Sequence, residues 1–153
     1  MSPSKTVMTT SLIGLLFAGT SGLAAKDITA TDFSNSRSYS SAVSTEGGKI
    51  VWLAGEAVLK DENGKSLAGD FEGQTRAIFA SIEKTLAQHQ GKLSDIVYMT
   101  VYITDARYGD KFVEIRKEIF KQNFPASTLV TVSGLAHPSL LIEITPVAVV
   151  GGK

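Results

Sequence analysis

Apolar positions along the chain follow two rhythms, and their alternation predicts the elements. In residues 71–90, Phe71, Ile78, Ile82 and Leu86 fall near one face at helical spacing, with Gln74 or Thr75 between them. Asp70 and Glu72 stand at the start and Gly91 follows the end, as helix start and stop signals require. Residues 108–123 repeat the pattern, with Phe112, Ile115, Ile119 and Phe120 inward and Lys111, Glu114, Lys117, Glu118 and Lys121 outward. Between the two helices residues 96–103 read IVYMTVYI. That is a strand apolar on both sides, Val97, Met99, Val101 and Ile103 on one and Ile96, Tyr98 and Tyr102 on the other. Residues 39–45 predict a first strand, Gly47-Gly48 a tight hairpin and residues 50–54 its return. Residues 129–133 and 140–150 supply two more strands, linked by a turn through Gly134 and Pro138. The order β-β-α-β-α-β-β predicts an α+β fold, one mixed sheet with both helices on one face. An apolar strand face that the helices do not reach calls for a neighbouring subunit.

The first 25 residues differ in character. Lys5 is followed by the apolar run LIGLLFA at residues 12–18 and then by small residues up to Ala25. This is the order of a secretory signal, a basic start, a short apolar stretch and a small-residue cleavage site, here after Ala24 or Ala25. A periplasmic or secreted protein is the expectation, free of the membrane after cleavage. Residues 26–38, rich in Thr, Asp, Ser and Asn and without periodicity, read as a surface lead-in, and residues 39–153 as the domain.

Charge and cysteine content then exclude several functions. Fifteen basic and fifteen acidic residues give a formal net charge of zero, which argues against nucleic acid as the main partner. With no cysteine, neither a disulfide frame nor thiolate chemistry is available. His89 and His137 lack ligand spacing, so no metal site is read. No glycine-rich phosphate loop and no nucleophile elbow occur, and no cofactor is called for.

One ionisable group remains conspicuous. Glu143 lies in an apolar run with Leu140, Leu141, Ile142 and Ile144 around it in sequence. A carboxylate among apolar neighbours is unfavourable unless it is paired, hydrogen-bonded or protonated, so the position has either a structural partner or a chemical task. Gly55, at the end of the second strand, stands where backbone approaches a ligand or where a β-bulge sits.

Several blocks, in order, carry a resemblance: Tyr-Ser-x-Ala-Val from Tyr39, Ala54-Gly55-Glu56, DIVYMTVYITD at residues 95–105, Phe124-Pro125-Ala126 and Leu141-Ile142-Glu143-Ile144. Over residues 39–150 the chain resembles the Rid family, the reactive intermediate deaminases, also known as YjgF-type proteins or endoribonuclease L-PSP. The resemblance implies a chorismate-mutase-like fold and a homotrimer with small-molecule clefts between subunits. It also implies hydrolysis of enamines and imines to a carbonyl product and ammonia. By the same resemblance Glu143 positions or activates water, while Tyr39, Gly55 and the backbone near Leu129 line the cleft. One position departs from the family's Pro-Ala-Arg motif, whose arginine grips a substrate carboxylate. Ser127 stands there, followed by Thr128, and a serine offers one neutral hydrogen bond in place of a bidentate pair. The substrate range is therefore expected to be altered. Arg37, Arg107 and Arg116 are the candidates to replace the missing cation, Arg37 first. A non-catalytic homotrimer that binds a small molecule is the alternative, and a ribonuclease the least favoured.

Overall fold

The computed structural model describes residues 26–151. The elements run β1 (Lys26–Thr29), α1 (Asp32–Ser36), β2 (Ala42–Thr45), β3 (Lys49–Trp52), α2 (Phe71–Gln88), a 3-10 turn at Leu93–Asp95, β4 (Ile96–Ile103), α3 (Tyr108–Phe120), β5 (Ala126–Thr131) and β6 (Ile142–Val150). The secretory signal expected in residues 1–25 lies outside the described residues.

The α+β class and the mixed sheet are observed. The main sheet has the order β3-β6-β4-β5, with β4 and β5 parallel and the other neighbours antiparallel. The opening of the chain corrects the expectation of a single sheet. Gly47 and Gly48 do turn the chain, both at positive φ, but β2 and β3 do not pair. β2 pairs with β1, from Lys26 opposite Thr45 to Thr29 opposite Ala42, and β3 pairs with β6. The polar β2 finds backbone partners in the polar β1, while the apolar β3 lays Ile50, Val51 and Trp52 beside Val149, Ala148 and Val147 of β6. Residues 26–38 are thus folded, not a lead-in without regular structure. Thr31 and Ser34 close α1 with a reciprocal capping box, which satisfies two backbone donors at the helix start.

The core forms on one side of the main sheet. Ile78, Phe79, Ile82 and Leu86 of α2 and Phe112 of α3 pack against Met99, Val101 and Ile103 of β4 and Ile142, Ile144 and Ala148 of β6. Removing an apolar side chain of this size from water contributes about 1.5–3 kcal/mol. A register shift in the β4–β6 pairing between Ile96 and Tyr98 changes the expected sides of β4. It turns Ile96 inward with Met99, although three positions separate them, and both are fully buried.

No helix among the described residues covers the opposite side of the sheet. Ile50 is 56% exposed, Trp52 76%, Tyr98 38% and Val130 37%, so large apolar side chains face outward among the hydroxyls of β4 and β5. β6 is anchored at its start by the buried Gln74. Its amide nitrogen donates to the Leu67 and Ser139 carbonyls, and its carbonyl oxygen accepts from the Leu141 amide at 2.9 Å. Those bonds satisfy a polar group in the core and hold the chain at Leu141, just before β6 begins and two residues before Glu143.

Candidate functional site

The expected site residues divide between the two sides of this sheet. On the helix side, Arg37, Tyr39, Ser127 and Leu129 line a small cavity of about 180 Å³ together with Phe33, Val113 and Arg116. The parallel register of β4 and β5 sets Ser127 beside Met99 and Leu129 beside Val101, both inward positions, so the two side chains project toward α3. Residues 33–40 close the cavity from outside. Ser40 bridges in parallel to Ala126, its amide donating to the Pro125 carbonyl and its hydroxyl to the Phe124 carbonyl. Arg37 donates to Asp110 of α3 at 2.8 Å.

Arg116, one of the three candidate cations but not the first, is the buried member. It is 3% exposed, with its guanidinium carbon 4.9 Å from the centre of the Phe112 ring. One terminal nitrogen donates to Ser127 Oγ at 2.7 Å, and the other to the Arg37 carbonyl at 2.8 Å. Its Nε has no partner, and no carboxylate among the described residues pairs with it. Burial, and after it the charge of Arg37, push this guanidinium down to about 10, which leaves it cationic at neutral pH. Of the three arginines considered as substitutes for the motif's cation, Arg37 lines the cavity but is tied to Asp110. Arg107 chelates its own neighbour Asp105 on the surface. Arg116 alone is buried against Ser127. The sequence carried a signal for it: Arg116 follows Phe112 by four residues and precedes Ile119 by three, the spacing of the inward stripe of α3.

On the open side stand Glu143 and Gly55. Glu143 is half-buried and opposite Tyr102 in the β4–β6 register. The neighbouring residues Ile142 and Ile144 are fully buried on the other side. The apolar run therefore does not enclose the carboxylate, because alternate residues of a strand face opposite ways. No ion pair holds it among the described residues. Gly55 gives it room. A Cβ built at Gly55 would collide with Glu143 Oε1 and come within 3.1 Å of its Cδ and 3.3 Å of Thr145 Oγ1. The adjacent Glu56 belongs to the helix side, where its carboxylate accepts the Ser81 hydroxyl, while its backbone bridges Ile144. Thr128 also faces the open side and shares a 2.9 Å hydrogen bond with the Tyr98 hydroxyl. Thr100 first and Thr128 second hold the Tyr98 phenol below its ordinary pKa.

The fold thus brings together Arg37, Tyr39, Ser127 and Leu129, and separately Glu143 and Gly55, with Thr128 on the second side. A larger cavity of about 600 Å³ contains none of these residues and is lined in part by Lys26, Asp95, Asn123 and Val149. The half-buried Lys26 ammonium in its lining donates to the Ser94 and Ile96 carbonyls. No cluster of three or more metal-ligating side chains occurs among the described residues.

This arrangement of sheet, helices and lone strand carboxylate defines a class of small α+β proteins with known relatives. The model of the family described as endoribonuclease L-PSP matches residues 29–150, and the chain belongs to that family, which includes the YjgF and Rid proteins. A RutC family protein of Pyrococcus abyssi is 32% identical over 110 residues, covering 72% of this chain and 84% of its own. Among solved structures, a Rid family protein of unknown function from Yersinia pestis has the same fold, with a TM-score of 0.71 at 23% identity, covering 82% of this chain and 98% of its own. A Mycobacterium tuberculosis member of the YjgF/YER057c/UK114 family is similar at 29% identity with a TM-score of 0.59, covering 82% of this chain and all of its own.

Proposed function

We propose that the protein is a hydrolytic deaminase of reactive enamines and imines, acting as a homotrimer that packs through the open side of the sheet. The observation that carries this reading is Glu143, a strand carboxylate free of ion pairs and held in a recess that only a glycine at position 55 permits. A carboxylate so placed orients water and takes its proton. The oxygen bonds to the electrophilic carbon of a protonated C=N group, and the C=N pair moves onto nitrogen. Glu143 returns the proton to nitrogen; as the C–N bond breaks it takes the hydroxyl proton and passes it to the departing ammonia, so that a carbonyl product and ammonium leave. No oxidant and no cofactor enter the balance. Family membership supports the reading, as does the exposed apolar surface of Ile50, Trp52, Tyr98 and Val130, which assembly would remove from water.

Ammonia release from an imine generated in the assay tests the proposal. Glu143→Gln is expected to lower the rate about 10²–10⁴-fold, the range of general acid–base contributions, with the melting temperature unchanged. Turnover that survives in Glu143→Gln rejects Glu143 as the acid–base group. Binding of imine analogues without turnover in the unaltered protein supports the ligand-binding homotrimer instead.

We propose further that residues 1–25 direct export and are removed. The basic start and short apolar stretch support this. The mass of protein recovered from the periplasm is the test, and intact protein beginning at Met1 in the cytoplasm counts against it.

A further inference from the structure

We infer that Arg116 is the anion-binding group of this protein and that the cavity against Ser127 takes the carboxylate of a small ligand, the guanidinium reaching it from α3 and not from β5. The inference deepens the proposed function and rests on it only for what becomes of the ligand.

Three observations lead to it. The first is an uncompensated charge. A buried guanidinium ordinarily has a carboxylate partner, since removing the charge from water is costly without one. Arg116 is buried with none among the described residues, and the carboxylate of Asp110 is held by the cavity-lining Arg37. The second is unused donors. A guanidinium carries five N–H groups in a planar fork; Arg116 spends one on Ser127 and one on a backbone carbonyl, and its Nε is unpartnered. The one other buried side-chain polar atom without a partner among the described residues is Ser38 Oγ, set between the cavity-lining Arg37 and Tyr39. The third is size and lining. A cavity of about 180 Å³ bordered by Phe33, Tyr39, Val113 and Leu129 suits a carboxylate with a short apolar or planar remainder, and is too small for a nucleotide.

Ser127 then has a definite role. Its hydroxyl accepts from Arg116 at 2.7 Å, so the side chain that stands where a motif arginine would be holds another arginine in place. A carboxylate grip is restored from a different element, and a carboxylate-bearing substrate stays within range.

Pyruvate, a stable 2-oxo acid, and its neutral analogue pyruvamide are the probes, titrated into the full chain at low ionic strength and followed by calorimetry and thermal unfolding. Pyruvate is expected to bind saturably and to raise the melting temperature, with pyruvamide at least about tenfold weaker because it lacks the charge-assisted pair. Arg116→Met is expected to bring pyruvate down to the pyruvamide level, and Arg116→Lys to recover part of the difference. Ser127→Asp provides a second variant should Arg116→Met fail to fold. It sets a carboxylate against Arg116 from within the chain and is expected to abolish pyruvate binding without lowering the melting temperature. Equal binding of the two probes, no binding of pyruvate at all, or unchanged binding in Arg116→Met and Ser127→Asp overturns the inference. So does pyruvate binding that appears only in Glu143→Gln, since the guanidinium would then be occupied by a neighbouring copy's carboxylate. Pyruvate binding through Arg116 with no ammonia release from any imine sinks the deaminase reading and leaves this one standing. Ammonia release with pyruvate binding indifferent to Arg116 does the reverse.

Discussion

The two sides of the main sheet hold opposite charges. Among the described residues, the helix-covered side keeps a buried cation, Arg116, with no carboxylate paired to it, and the open side a carboxylate, Glu143, with no cation. Within one chain the sheet separates them, so neither is neutralised by the other. A site built this way gives up stability on both sides, since each charge is left without its most favourable partner. Among the described residues no opposite charge competes with a ligand for either group. The apolar residues show the same division. Those of the covered side are sealed in the core, and those of the open side stand in solvent until something packs on them.

The largest effects separate the two sides by what is measured. Ile144 is fully buried between the helices and the sheet, and Ile144→Ala is expected to cost about 2–5 kcal/mol of stability. Trp52 is 76% exposed on the other side. Trp52→Ser is expected to leave the single chain's stability within about 0.5 kcal/mol, as for most surface changes, and to shift the mass in solution from trimer toward monomer. Chemical denaturation and light scattering read the two outcomes. If Trp52→Ser lowers stability as much as Ile144→Ala and leaves the mass unchanged, the open side is not an assembly surface.

Gly55→Ala acts on a smaller scale and on the open side alone. The added methyl meets the end of a flexible side chain and not backbone, so Glu143 swings aside at little cost to folding. Ammonia release is expected to fall about tenfold to a hundredfold, as for a catalytic group displaced by an ångström or so, with the melting temperature nearly constant. Unaltered turnover in this variant would mean that the recess beside Gly55 does not set the carboxylate's position.

Local rules made the helices and the strand between them legible. Asp70 caps α2 by accepting from the Gly73 amide at 2.8 Å, and the buried positions of α2 keep the helical spacing seen in the sequence. β4 begins and ends where the apolar run does. What escaped reading depended on contacts distant in sequence. Ala42–Thr45 is as compatible with β3 across the Gly47-Gly48 turn as with β1, and only the competition for β6 decides between them. Glu143 was legible as a lone acid, but its true surroundings follow from strand alternation and not from the residues adjacent in sequence. Ser127 was legible as a departure from a motif, whereas its consequence was not, because Arg116 sits 11 residues upstream on another element. An arginine followed by Lys117 and Glu118 reads as surface by residue type, and its place on the inward stripe of α3 is the stronger signal.

The smallest effect is reserved for the arginine that belongs to neither side. Arg107 bonds the Asp105 carboxylate through Nε at 2.9 Å on the surface, and this pairing holds Asp105 down from 3.8 to about 2. A carboxyl whose folded pKa lies below its unfolded one lends stability above the unfolded value and loses it as the pH falls through the folded one. Arg107→Ala is therefore expected to be slightly less stable than the unaltered protein at neutral pH. The gap should close between pH 4 and pH 2, as both proteins come to carry a protonated Asp105. Since exposed ion pairs are weak and screened, the difference should also shrink in high salt. Pyruvate binding and ammonia release are expected to be untouched, which distinguishes Arg107 from Arg116. A loss of pyruvate affinity in Arg107→Ala would reopen the choice among the three arginines and remove the contrast between a buried, unpaired guanidinium and an exposed, paired one.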